Sequence, residues 1–71
     1  MSTKMVQSID RAFQILETIA VEKDGLGVTE IAKRVGLHKS TVHRLLNSMV
    51  DIGYIEQNQE TGAYRLGLKF I

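Results

Sequence analysis

Apolar residues recur at Ile9, Ala12, Phe13, Leu16, Ile19 and Ala20, the i, i+3, i+4, i+7 spacing of one helical face. After a tail of residues 1–7, this predicts a first helix over about Ser8 to Glu22. Ser8 is placed to cap it through its hydroxyl, Asp10 sits favourably in the first turn, and Asp24-Gly25 with Gly27 ends it in a turn. Val28 leaves room for a single residue of strand. Thr29 then caps a short second helix in which Ile31, Ala32 and Val35 share a face, and Gly36 supplies the left-handed residue that stops it. From about His38 to Ile52 the set Val42, Leu45, Leu46 and Met49 again repeats at helical spacing, closed by Gly53.

Beyond Gly53 the period changes. Tyr54 to Asn58 is rich in strand formers, Gln59 to Gly62 is a polar connection, and Ala63 to Leu66 resumes the alternation, which together predict a β-hairpin. Gly67 breaks it, and residues 68–71 read as the opening of a further element. The fold class is therefore α+β, mainly α: three helices followed by a hairpin. Helices two and three are separated only by Gly36-Leu37-His38, a short turn with glycine first, as a helix-turn-helix requires. Small Ala32 allows close approach of the two helices, while Ile31, Val35, Leu37, Val42 and Leu45 fall where they share a core with helix one.

Length and composition narrow the function. A chain of 71 residues forms one small domain with a thin core, which argues against an elaborate enzyme with a deep substrate cavity. Without cysteine there is neither a disulfide framework nor a thiolate metal site, which favours a cytosolic setting. The longest apolar run is Ile19-Ala20-Val21, too short for a signal-peptide core or a membrane span, so the expectation is a cytoplasmic chain. Net charge is +1, but it is unevenly spread. Between Glu30 and Asp51 no acid occurs, and Lys33, Arg34, Lys39 and Arg44 contribute +4, whereas the remainder carries −3. An acid-free basic tract in an otherwise acidic domain is the electrostatic footprint of a surface that meets phosphates, although a solvated basic face gives the same count.

What helix three exposes carries more information. At 100° per residue, Ser40, Thr41, Arg44, Asn47, Ser48 and Asp51 lie opposite its core stripe. Arg can bond guanine O6 and N7 together, Asn can read adenine, and Ser or Thr reach phosphates or bases without filling the major groove. Lys39, beside the helix start, suits a phosphate, as do the N–H donors of the helix N-terminus. An ordinary solvated helix carries Glu and Lys at i, i+4 instead. Lys39, Ser40, Thr41, His43, Arg44 and Asn47 are thus the candidate DNA contacts of this helix.

Other chemistry fits poorly. His38 and His43 are i, i+5, about 140° apart on a helix, where two ligands on one face need i, i+4; no metal site or cofactor is expected. Ser40 and His43 lack a strained nucleophile turn, an oxyanion donor pair or an enclosing cleft, so no hydrolase is read here. Gly25-Leu26-Gly27 has no following lysine and succeeds a helix rather than a strand, unlike a phosphate-binding loop. The competing function is a module of this fold used for protein association, since fold does not dictate partner, and RNA binding is a third reading. Association modules tend to expose apolar or acidic residues on helix three, where this chain has Lys39, Arg44 and Asn47.

These stretches together resemble a known family. Ser8 to Glu17 (SIDRAFQILE), Thr29 to Ala32 (TEIA), Gly36 to Leu46 (GLHKSTVHRLL), Gly53 to Glu56 (GYIE) and Tyr64 to Gly67 (YRLG) are similar to the N-terminal domain of isocitrate lyase regulator (IclR) type transcriptional regulators. The resemblance implies a winged helix-turn-helix over residues 8–67 and homodimeric binding to a partly palindromic operator in double-stranded DNA. It also implies a linker helix beginning at 68–71 that leads to a larger C-terminal domain, through which a small-molecule effector acts. His38 departs from the proline frequent in the family at the first helical position, leaving the helix start less rigid. In this reading the hairpin 54–66 is the wing, and Arg65 is its only base. Strand register decides whether Arg65 faces DNA or pairs with Glu56, and both uses stay open. Thr29 is expected to cap helix two and to meet a phosphate there, while Arg11 has three open uses: a phosphate, a dimer partner or plain solvation.

Overall fold

The computed structural model describes residues 3–67, with side chains from Ile9 onward, as α1 (Thr3–Ala20), α2 (Val28–Val35), α3 (Lys39–Asp51), β1 (Ile55–Gln57) and β2 (Tyr64–Leu66). The element order is the expected one, and the strands form an antiparallel pair with Ile55 opposite Leu66, Glu56 opposite Arg65 and Gln57 opposite Tyr64. The further element expected at residues 68–71 lies outside the described residues.

Boundaries differ in instructive ways. Helix α1 starts at Thr3, so much of the stretch read as a tail is helical and Ser8 lies inside the helix instead of capping it. Lys4 to Gln7 contain no glycine or proline, and extending an existing helix costs far less than nucleating one, so a potential cap does not stop it. At α2 the N-cap is Gly27, extended at φ −78° and ψ 163° and giving no side-chain cap, which makes Thr29 a residue of the first turn and corrects its expected capping role. The strand residue anticipated at Val28 occurs at Leu26, which bridges to Tyr64: each N–H donates to the other's carbonyl, at 2.9 and 2.7 Å. This pairing gives the hairpin a third, one-residue strand.

The helix-turn-helix forms as read. Gly36 is left-handed (φ 71°, ψ 34°), and its N–H and that of Leu37 both donate to the Ala32 carbonyl, at 2.9 and 3.1 Å. Extended His38 is the N-cap of α3, and its carbonyl accepts the Val42 N–H at 3.1 Å. At the other end Gly53 and Tyr54 donate to the Val50 and Met49 carbonyls, the double bond of a Schellman motif that turns the chain into β1.

All five elements contribute to one core: Ile15 and Ile19 of α1, Ile31 and Ala32 of α2, Val42, Leu46 and Met49 of α3, Ile55 of β1 and Tyr64 of β2. Helix α1 packs on α2 and β2, and α3 on α2 and β1. The face of α1 is not the one expected. Ile15 is fully buried, whereas Ile9 and Phe13 remain 54% and 59% exposed and Ala20 is also exposed. The apolar arc of this helix is wider than its buried stripe, and the periodicity was centred on the wrong edge of it. The uncovered edge, with Ala12, Leu16, Met49, Ile52 and Tyr54, lines an apolar groove of about 370 Å³.

Gly25 and Gly62 are both left-handed, at φ 81° and 77°, but they are constrained differently. A Cβ on Gly62 would meet nothing within 4 Å, while one on Gly25 would lie 2.5 Å from the Tyr64 carbonyl oxygen. Gly62→Ala is therefore expected to cost only the backbone strain of about 1–2 kcal/mol. Gly25→Ala should cost at least about 2 kcal/mol more, because the hydrogen-bonded Leu26–Tyr64 pair must separate as well. Urea denaturation of the two variants at equal m-value checks the order, and equal destabilisation would contradict this account of the β2 edge.

Candidate nucleic-acid interface

With Val42, Leu46 and Met49 buried, α3 turns Lys39, Ser40, His43, Arg44, Asn47, Ser48 and Asp51 to solvent. The six residues expected from the sequence as contacts of this helix thus lie along one exposed region, with one adjustment. Thr41 is only half exposed, because it lines a shallow cleft of about 210 Å³ with Arg11, Arg44, Leu45 and Ser48. No carboxylate lines this cleft. Two guanidinium groups beside two hydroxyls, without an acid between them, create a positive potential that suits an anion such as a phosphate oxygen. His38 offers α3 no side-chain cap, so the N–H groups of its first turn remain available as donors.

Arg11 is the residue the sequence left unassigned. Its position in α1 gave it three equally open uses, and only the fold brings it to the cleft it lines with Thr41 and Arg44 of the exposed helix. Arg34 went the other way. The basic tract counted it among free cations, but its Nε donates to Glu30 Oε2 at 3.0 Å and its Nη2 to Glu22 Oε1 at 3.1 Å. The hydrogen bonds it donates to Glu30 and then to Glu22 raise its pKa above the ordinary arginine value. The arrangement ties α2 to the end of α1 and neutralises a charge that the linear sequence shows as free. The basic surface along α3 is therefore carried by Lys39, Arg44 and Arg11, and Arg34 does not add a free charge to it.

The hairpin settles the register question. Arg65 stands directly opposite Glu56 and its Nε donates to Glu56 Oε2 at 3.3 Å, so the cross-strand pairing is the use observed. Both side chains are well exposed, and such a pair is held weakly. Thr29 is exposed in the first turn of α2. Among the described residues no three His, Cys, Asp or Glu side chains come together as a metal centre would need.

A two-helix turn with an uncapped second helix, a polar exposed face and an adjoining hairpin is the geometry of a winged helix-turn-helix. The family described as "IclR helix-turn-helix domain" matches residues 8–59. The chain belongs to the IclR family. Over 67 residues it is 46% identical to the HTH-type transcriptional regulator XynR of Escherichia coli (strain K12), covering 94% of this chain and 27% of that protein. Over 66 residues it is 39% identical to the transcriptional repressor IclR of the same organism, covering 93% and 24% respectively. Among solved structures, Pseudomonas aeruginosa HmgR superposes with a TM-score of 0.82 at 28% identity over 90% of this chain and 26% of its own. An IclR family transcriptional regulator from Brucella abortus gives 0.80 at 34% identity over 87% and 24%. The IclR-type domain thus spans about a quarter of the length of these relatives, and its fold is theirs.

The two kinds of cation on this surface make a distinguishable prediction. Lys39→Ala should reduce the slope of log K against log[salt] on duplex DNA by about one, as expected for loss of one phosphate contact. Arg34→Ala should leave that slope unchanged, since its charge is already paired. Fluorescence-anisotropy titrations at several salt concentrations check this, and equal slope losses would return Arg34 to the phosphate-facing set.

Proposed function

We propose that this domain binds duplex DNA sequence-specifically, with α3 in the major groove and the hairpin lying along the neighbouring backbone as a wing. The observation that carries the reading is the exposed face of α3: two hydroxyls, an imidazole, an amide and a guanidinium, with no acid before Asp51, flanked by Arg11. Arg44 and Asn47 read bases, Ser40, Thr41 and His43 reach bases or phosphates from the same face, and Lys39 and Arg11 hold phosphates. Thr29, at the start of α2, meets a phosphate of the adjoining strand. Arg65 contacts the backbone only by exchanging Glu56 for a phosphate, a small step for so exposed a pair.

The domain serves a cytoplasmic transcriptional regulator and carries out no catalysis. Among the described residues no helix is long and apolar enough to cross a membrane. Two copies act together on a partly palindromic operator, a reading supported by the uncovered apolar face of α1, where Phe13 is 59% exposed. The domain proper, read over 8–67, is extended at its start by the first turns of α1 from Thr3, and, in keeping with the length of its relatives, residues 68–71 open a linker to an effector-binding domain.

Arg44→Ala should cost about 1–3 kcal/mol on the preferred operator and relax the preference at one base pair. Lys39→Ala should weaken all sequences alike. Binding-site selection on a randomised library separates the two outcomes, and a uniform loss for both would remove Arg44 from base reading. Recovery of no motif at all by the native full-length protein would favour the protein-association alternative.

Pairing makes a separate prediction. Two copies joined through a parallel coiled coil after Ile71, with linkers that span about one turn of DNA, should bind a palindrome roughly 10²–10⁴-fold more tightly than the single domain, by avidity alone. Gel-shift titration on half-site and palindrome measures the gain. Equal affinity of both forms would mean that the domain already pairs, or that pairing has no part in recognition.

A further inference from the structure

The wing has an electrostatic character that the DNA-binding reading above does not use. From Tyr54 to Gly67 it contains one base, Arg65, and two acids, Glu56 and Glu60. Arg65 and Glu56 compensate each other across the strands. Glu60, at the tip, takes part in none of the ion pairs formed among the described residues. The part of the hairpin that reaches furthest from the core thus ends in an uncompensated carboxylate.

The backbone beneath that carboxylate is fixed. Asn58 Oδ1 accepts the N–H groups of Glu60 and Thr61, at 2.8 and 3.1 Å, and the Asn58 carbonyl accepts the Gly62 N–H at 2.7 Å. The Asn58 N–H donates to the Ala63 carbonyl at 2.8 Å, and the Ala63 N–H to Thr61 Oγ1 at 3.2 Å. Gln57 Nε2 is occupied by the Gly62 carbonyl at 3.2 Å. The tip is therefore a pre-formed loop whose outward side chains are Gln59 and Glu60, both exposed.

We propose that Glu60 is a specificity-determining residue that steers the domain away from narrow, A·T-rich minor grooves beside its half-site. The inference rests on the reading that α3 enters the major groove with the hairpin along the neighbouring backbone: β1 follows α3 in the chain and packs on it, and a hairpin tip so docked would border the adjacent minor groove. In the minor groove an A·T pair presents only acceptors, whereas a G·C pair adds the guanine N2 amine as a donor. A carboxylate has no proton to offer A·T and can accept from G·C. A-tracts narrow the groove and deepen its negative potential, which attracts Arg and Lys and repels an acid for the same reason. Within a Debye length of about 10 Å at 0.1 M salt this repulsion is felt, and its size depends on the sequence of base pairs the protein never hydrogen-bonds.

The test is binding-site selection with the native full-length protein, E60Q and E60R, on duplexes that hold the preferred core and randomised flanks. All three should recover the same core. Wild type should be depleted of A·T runs under the wing, E60Q should lose the depletion, and E60R should turn it into enrichment. In direct titrations E60Q should tighten binding about three- to tenfold on an A-tract flank and less than about twofold on a G·C flank, and the difference should shrink as salt rises. Identical flank profiles with the core intact would overturn the proposal. Equal tightening on both flanks would also overturn it, leaving Glu60 a uniform brake on DNA affinity. Failure of the wild type to recover any core would instead overturn the DNA-binding reading on which the proposal rests.

Discussion

Burial of Tyr64 is the interaction on which the working geometry depends. Its side chain is 2% exposed in the middle of a core supplied by all three helices, and its backbone N–H and carbonyl are both bonded to Leu26. One residue thus joins the hairpin to the helices by packing and to the loop before α2 by hydrogen bonds. An aromatic side chain buries about 150–250 Å², a large share of what so small a core can gain, and no other β2 residue is buried. Glycine at position 25 follows from the same arrangement, because the Tyr64 carbonyl occupies the space a Cβ would need. Without this junction the wing would be held to the helices chiefly through Ile55 of β1, and a two-stranded hairpin with so little packing is marginal in water.

Once the core is anchored in this way, the exposed face of α3 follows from what is left over. Val42, Leu46 and Met49 go inward, so the short polar side chains between them must go outward, held on a helix whose rotation the core fixes. Charge is sorted by the same folding step. Glu22 and Glu30 are drawn to Arg34, and Glu56 to Arg65, while Arg11 is carried to the side of Arg44. The net charge of +1 conceals a surface in which, among the described residues, acids neutralise Arg34 and Arg65 and leave Lys39 and Arg44 of α3, with Arg11 beside them, without an ion pair.

The helix-turn-helix was legible because its signals are local: Gly36 with its left-handed backbone, the short turn and the repeat of Val42, Leu45, Leu46 and Met49 all lie within a few residues of one another. The hairpin was legible for the same reason, through the change from helical to alternating period after Gly53. What escaped depends on partners far along the chain. The orientation of α1 was misread because Ile9, Phe13 and Ala20 extend its apolar arc past the stripe that Ile15 and Ile19 bury, and periodicity alone does not say which part of a wide arc is covered. Arg34 was counted as free although Glu30 stands four residues before it on the same helix, a local signal, and its second partner, Glu22, lies twelve positions away in the chain. Thr29 has the chemistry of a cap, yet the Leu26–Tyr64 bridge fixes the preceding loop so that the helix begins two residues earlier, from Gly27. The face of α3 could be read correctly because a single helix, once its buried stripe is known, determines its own outside.

In the proposed function the core presents one polar surface, the outer side of α3 with Arg11 and the wing, to duplex DNA. Amide chemical-shift mapping of the ¹⁵N-labelled protein during titration with an operator duplex tests it most directly. Perturbations should cluster on residues 39–48, with Arg11, the first turn of α2 and the wing tip at their margin, while the groove formed by Phe13, Leu16, Ile52 and Tyr54 stays unchanged on a single half-site. Perturbations confined to that apolar groove, or none on α3 at saturating duplex, would contradict it.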